Sequence, residues 1–332
     1  MSEFRQDITT KEWVIISTER AKRPDEFKKK DKKEKKLPER DDKCPFCPGN
    51  EEKTPPAVYT IEKDGKWKLR IVPNKFAALQ PDITPDRNRI GRFLKAEGFG
   101  ISEVVIETPE HNKTIATMSY EQARDVVIAY KERYLQISEN KDISLINIFR
   151  NYGEKAGTSL EHPHSQIIAS PIVPPHIRDQ ITQAILSTDS YGSCIFCDMI
   201  KEELNQKIRI ILESKHFIVL TPFASRYPFE IRIFPKKHNC NFGCITDEDI
   251  EDFAYVLRLA LKKLYTALDD PDYNYMIRSC PTDYENVKHF HWHLEILPKL
   301  TTPAGFELGT GIFINVTTPE NCAEILRNIE VE

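Results

Sequence analysis

Apolar positions along the chain fall into short runs and one-sided stripes, and the order in which they come is met twice. Residues 6–17 end in Trp13-Val14-Ile15-Ile16, and WKLRIV at 67–72, ISEVVIET at 101–108 and ISLINIF at 143–149 are further runs of strand length. Residues 119–138 open on Ser119 and place Ala123, Val126, Val127, Tyr130 and Tyr134 at helical spacing, which predicts a capped helix. The second half predicts strands at 208–212, 217–221 and 229–234, a helix at 247–266, a strand at 274–278 and a last strand through His289-Phe290-His291-Trp292-His293-Leu294. The stretch FKKKDKKEKKLPERDDK, by contrast, has almost nothing to bury and reads as a solvated loop.

Counting sharpens the repeat. Glu103 precedes His111 by 8 residues and Glu230 precedes His238 by 8, while 162 − 111 and 289 − 238 both equal 51. Coincidences across separate segments indicate an internal duplication of a unit of roughly 150 residues. The expected fold class is α+β, with two tandem domains at 1–178 and 179–332, each an antiparallel sheet carrying one long helix.

The repeat nominates metal ligands. Cys44 and Cys47 are a Cys-x-x-Cys pair, and with His111 and His162 they make two thiolates and two imidazoles. Cys194, Cys197, His238 and His289 make the corresponding set, with His291 and His293 on the same strand face as open alternatives to His289. Two Cys and two His suit tetrahedral Zn2+, and four protein ligands leave no open position, so both sites should be structural; iron is an alternative at the second.

With His162 assigned to a metal, His164 in the stretch SLEHPHSQII is the free imidazole. Side chains two apart on a strand share a face, so His162, His164 and Gln166 are expected side by side. An imidazole held through one nitrogen attacks phosphorus with the other. The loop before it, NYGEKAGTS, offers Gly153, Gly157, Thr158 and Ser159 for phosphate oxygens, and Arg20 and Arg23 are further candidates. The second motif follows SCPTDYENVK, which lacks such a loop and predicts a structural copy.

Composition narrows the picture in three ways. With 47 basic against 51 acidic residues, a net charge of −4 argues against a nucleic-acid surface. No apolar run approaches the ~20 residues of a membrane span, and the opening MSEFRQDITTKEWVII is not a secretory signal, so a cytoplasmic protein is expected. Eight cysteines, four of them in Cys-x-x-Cys pairs, favour metal ligation over disulfides.

These residues together resemble the galactose-1-phosphate uridylyltransferase family, the transferase branch of the histidine-triad superfamily. The likeness rests on His162-Pro163-His164-Ser165-Gln166, Arg20-Ala21-Lys22-Arg23-Pro24, Cys44-x-x-Cys47 and the loop from Asn151 to Ser159. The resemblance implies a homodimer and a ping-pong reaction through a nucleotidyl-histidine. It makes His164 the nucleophile and Gln166 the residue that steadies the transferred phosphate, with Asn151, Gly157, Thr158 and Ser159 beside it. Arg20 and Arg23 would bind phosphates, Asn74 and Phe76 would lie near ribose and base, and Phe306 and Glu307 would face the acceptor. Glutamine in place of a third histidine favours transfer over hydrolysis, because a phosphate-type leaving group needs no strong general acid. The expected partners are a nucleotide-sugar or nucleoside-phosphate donor and a phosphate-type acceptor. The first expectation is exchange of UMP between UDP-glucose and galactose 1-phosphate; the alternative is transfer of AMP from ADP-glucose or adenylylsulfate to phosphate.

Overall fold

A computed structural model describes residues 2–17, 24–27, 37–284 and 287–331. Its centre is a ten-stranded antiparallel sheet. The strands run, in spatial order, Ile210–Glu213, Phe217–Leu220, Ile231–Pro235, His293–Pro298, Tyr273–Arg278, Leu145–Tyr152, His164–Ser170, Ile101–Ile106, Lys66–Pro73 and Tyr59–Lys63. The first five come from the second half of the chain, the last five from the first. The two sets are joined where Tyr273–Arg278 pairs with Leu145–Tyr152, Ile277 opposite Ile148. Read outward from that seam, the five strands of each set follow one another in a corresponding order.

The alternation of side chains along each strand gives the sheet two unlike faces. One face, with Ile146, Ile148, Ile167, Ala169, Tyr275, Ile277, Leu294 and Ile296, belongs to a single core that crosses the seam. It is covered by the helices Tyr120–Ser138 and Asp247–Leu268, which also pack against each other. Each fully buried aliphatic side chain there contributes ~1.5–3 kcal/mol. The caps explain where the helices begin: Ser119 and Gln122, and Thr246 and Asp249, exchange side-chain and backbone hydrogen bonds in two capping boxes. A buried polar group lies within this core. Arg150 faces Glu107 at 3.3 Å, and Tyr130 links Ser165 (2.6 Å) to Tyr275 (2.5 Å), so residues of both halves share it.

The opposite face carries His164, Gln166 and Asn151 in one half and His293, Glu295 and Arg278 in the other. Several elements were not expected. The strand Ser2–Gln6 pairs with Trp13–Ser17, which pairs in parallel with Phe313–Asn315 near the other end of the chain. Helices also span Pro175–Tyr191 and Ile195–Gln206, so Cys197 sits in the first turn of a helix rather than on a turn like that of Cys44 and Cys47.

Candidate active site

Among the described residues, two groups of ligating side chains converge. Cys44, Cys47, His111 and His162 have one ligand atom each, all within 4.8 Å of one another, and so do Cys194, Cys197, His238 and His291. In the first group His111 Nδ1 and His162 Nδ1 are 3.3 Å apart, and Cys47 Sγ lies 3.4 and 3.5 Å from them. His162 turns its Nε2 to the Thr108 carbonyl at 2.8 Å, and His291 turns its Nε2 to the Pro235 carbonyl at 2.8 Å. Such a bond fixes the tautomer and leaves Nδ1 as the ligand atom. Burial lowers His162 to about 4, so its ring is neutral, and raises Cys44 to about 11, so its thiolate needs a cation beside it. Both donor sets fit a four-coordinate metal ion.

His291, not His289, completes the second set. The count of 51 that selected His289 fails because the connection before the last motif is two residues longer than its counterpart: 291 − 238 = 53, against 162 − 111 = 51. His289 instead lies in the loop before the strand, where its backbone carbonyl accepts from Cys194 Sγ at 3.3 Å.

His164 opens the strand His164–Ser170, just beyond the metal group. Its Nδ1 is held by the His162 carbonyl at 2.8 Å, which leaves the Nε2 lone pair free, and the Phe46 ring flanks the imidazole at 5.5 Å. Burial, with the charge of Arg150 adding to it and the His162 carbonyl opposing, lowers the pKa of His164 below the ordinary imidazole value. A neutral ring is the nucleophilic form. His164 lines a cavity of about 430 Å³ together with Gln166, Ser159, Asn74, Phe76, Lys75, Lys53, Thr54 and Phe46. Phe76 is 88% exposed at its rim, and Asn74 Oδ1 accepts from the Phe76 amide at 3.0 Å, which shapes that turn.

The other expected residues are placed as follows. Asn151 stands at the end of Leu145–Tyr152, and Thr158 donates through its hydroxyl to the Asn151 carbonyl, closing the loop that contains Gly157 at φ +88°. Glu307 accepts from the Ala304 amide at the start of the short helix Gly305–Thr310, and of the expected residues Asn151, Gly157, Thr158, Phe306 and Glu307 do not themselves line the cavity. Arg20 and Arg23 lie outside the described residues. Lys53, Thr54 and Phe46 went unread in the sequence, although Phe46 stands inside the Cys-x-x-Cys pair and could have been taken from there.

The second copy repeats the backbone arrangement but is closed. His293 Nδ1 is bonded to the His291 carbonyl at 3.0 Å, yet the ring is fully buried, stacked on Phe234 at 4.8 Å and flanked by Phe196 at 5.7 Å. Its Nε2 faces Glu295 at 3.8 Å, and Glu295 is held by Arg278 at 2.9 Å, Arg232 at 3.6 Å and Arg226 at 3.7 Å. Burial works to raise the Glu295 carboxyl, but these neighbours hold it well below the usual carboxylate range.

Comparison with known proteins agrees with this geometry. A family profile described as "Galactose-1-phosphate uridyl transferase, N-terminal domain" matches residues 1–174, and one described as a domain of unknown function, DUF4921, matches residues 107–330. The galactose-1-phosphate uridylyltransferase of Thermotoga maritima is 32% identical over the full length of both chains. The chain belongs to the galactose-1-phosphate uridylyltransferase family. It is also 36% identical to the ADP-glucose phosphorylase of Arabidopsis thaliana, over 99% of this chain and 93% of that protein. The solved structure of an Arabidopsis thaliana ADP-glucose phosphorylase with bound ADP-glucose superposes with a TM-score of 0.85 at 35% identity over all of both chains, and a solved uridylyltransferase gives 0.76 at 26% over 98% and 97%. As a member of this family the chain is a nucleotidyltransferase. No helix among the described residues is long and apolar enough to cross a membrane.

Proposed function

We propose that the protein transfers a nucleoside monophosphate through a covalent intermediate on His164, from a nucleotide sugar to a phosphate acceptor. The observation that carries this is the held Nδ1 of His164, with Nε2 left to the cavity that Gln166 and Ser159 also line. In the first half-reaction Nε2 attacks the α-phosphorus of the donor. The bond from that phosphorus to the bridging oxygen breaks, and the sugar 1-phosphate leaves with the electron pair, needing no proton at neutral pH. The His162 carbonyl accepts from Nδ1–H throughout and stabilises the positive charge of the modified ring. In the second half-reaction an oxygen of the acceptor phosphate attacks the same phosphorus, and the phosphorus–nitrogen bond breaks to restore neutral His164. Gln166 supplies an uncharged donor to the transferred group, and Ser159, the residue of the preceding loop that lines the same cavity, offers a second.

The adenylyl reading is favoured, ADP-glucose as donor and inorganic phosphate as acceptor, because likeness to the ADP-glucose phosphorylase exceeds that to the uridylyltransferases in both identity and superposition. The uridylyl reading, UDP-glucose with galactose 1-phosphate, is supported by the family profile over residues 1–174. The experiment offers each donor, labelled in its α-phosphate, to the protein. The adenylyl reading expects acid-labile label from ADP-glucose, with release of glucose 1-phosphate and faster loss of label to phosphate than to galactose 1-phosphate. Label from UDP-glucose alone selects the uridylyl reading, and no label from either removes the covalent mechanism.

Both metal groups are assigned to zinc. Bonds of about 2.05 Å to nitrogen and 2.3 Å to sulfur in a tetrahedron place N···N near ~3.3 Å and N···S near ~3.6 Å. The distances of 3.3, 3.4 and 3.5 Å in the first group support that choice. Zinc there would tie His162, and with it the carbonyl that orients His164, to the rest of the fold. Residues 1–178 and 179–332 are taken as the two copies of the duplicated unit. The free cysteines fit a reducing compartment such as the cytoplasm. A homodimer is supported by the exposed Ile90, Phe93 and Leu94 of the hairpin Arg87–Ala96, and light scattering of the purified chain tests it.

A further inference from the structure

The geometry points to Asn274, a residue of the closed second half, as a positioning residue for the site in the first: it fixes which end of the Asn151 amide faces the nucleophile. This rests on the reading of His164 as the nucleotidyl acceptor.

Asn274 and Asn151 are directly opposite each other across the seam of the sheet. On the far side of the same strand Phe149 pairs with Gln166, and continuing that register sets Asn151 opposite His164. Residues directly opposite in antiparallel strands share a face and lie ~4.5–5.5 Å apart. Asn274, Asn151 and His164 therefore form one row.

The hydrogen bonds give that row a direction. Asn274 Nδ2 donates to the Ala156 carbonyl at 2.9 Å and to Asn151 Oδ1 at 2.8 Å. A backbone carbonyl only accepts, so the atom of Asn274 that faces Ala156 must be its nitrogen. The second hydrogen of that nitrogen then needs an acceptor in Asn151, which turns Asn151 Oδ1 toward the seam and leaves Asn151 Nδ2 as the end available to the site. A bound phosphate presents only acceptor oxygens, and an amide turned the other way would offer it a like dipole. Asp272, the residue just before the strand of Asn274, holds the loop at a second point by accepting from the Lys155 amide at 2.8 Å. Gly153 permits this closeness: at φ +85°, a Cβ there would fall 2.3 Å from Asp272 Cγ. In the second half the corresponding row runs His293, Arg278, Asn147, and Arg278 is engaged by Glu295, so the second copy has no such use of its asparagine.

The test uses the full-length, metal-replete chain and reads the single-turnover rate at which His164 takes label from an α-phosphate-labelled donor. Asn274→Ala, which frees the Asn151 amide to rotate, is expected to slow labelling by ~10-fold. Asn274→Asp, which can only accept and so draws Asn151 Nδ2 toward itself, is expected to slow it by up to ~100-fold, with melting temperature and metal content close to wild type for at least the alanine variant. In an Asn151→Ala background neither change should slow labelling further. Wild-type rates in both single variants, or effects that multiply in the Asn151→Ala background, overturn the inference while labelling of the wild type stands. Absence of label in the wild type itself overturns the covalent reading and this inference with it.

Discussion

His164 and His293 occupy equivalent places in the two halves of one sheet, and each is held through Nδ1 by the carbonyl two residues before it, at 2.8 and 3.0 Å. What separates them is their surroundings. Ile106 lies opposite His164 where Phe234 lies opposite His293, and two residues on, an uncharged Gln166 stands where Glu295 is clamped by three arginines. His164 opens on a cavity, while the Nε2 of His293 is sealed against a carboxylate. On the proposed mechanism, then, the right tautomer is shared by both halves, and the open approach and uncharged neighbour are what set His164 apart.

The largest effect should come from the two histidines. His164→Asn is expected to lower labelling and turnover by ~10⁴-fold or more, whereas His293→Asn leaves labelling unchanged; single-turnover measurements on both compare the halves directly. Loss of activity in the His293 variant with its fold intact would break the contrast. Next come the metal groups, where the halves should behave alike in stability. Cys47→Ala and Cys197→Ala should each remove one zinc per chain, by elemental analysis, and each cost on the order of 4 kcal/mol in denaturant unfolding. Only Cys47→Ala should also slow labelling, because the residue beside it in the ligand group, His162, is the one whose carbonyl holds His164.

A smaller loss, ~3 kcal/mol, is expected for Glu295→Gln, which leaves buried arginines without their carboxylate; labelling per folded chain should hold, and a drop there would show that the second site takes part in the reaction. The least effect belongs to the helix caps. Ser119→Ala and Thr246→Ala should each cost ~1 kcal/mol, by the same unfolding assay, since both halves use the same device.

The sequence was most legible where local chemistry decides structure. Ser119 marks a helix start because its hydroxyl satisfies the first free amides, and the helix begins next to it. Apolar runs such as ISEVVIET became strands because both of their faces are covered. Spacing alone brought Cys44, Cys47, His111 and His162 together on paper, and the fold brings them within 4.8 Å. The same counting missed His291, because a loop absorbs two extra residues without changing the strands it joins. The seam between Ile148 and Ile277 was not legible, since pairing between distant strands depends on register that no local pattern records. For that reason Asn274 and Asp272 drew no notice in the sequence, although they grip the loop before His164. The helix Ile195–Gln206 was overlooked because Cys194 and Cys197 were weighed only as ligands, and the hydrophobic stripe of Ile195, Phe196 and Ile200 behind them was not considered.

The parallel pairing of Trp13–Ser17 with Phe313–Asn315 bears on how the protein is made. On the ribosome, at ~5–20 residues per second, the strand near the start of the chain waits roughly 15 to 60 seconds for its partner near the end. Val14 and Ile16, fully covered in the finished fold, must spend that interval against something else, the neighbouring strand Ser2–Gln6 or a chaperone. A message that stops before residue 313 would release a chain with this edge of Trp13–Ser17 uncovered and open to pairing with another copy.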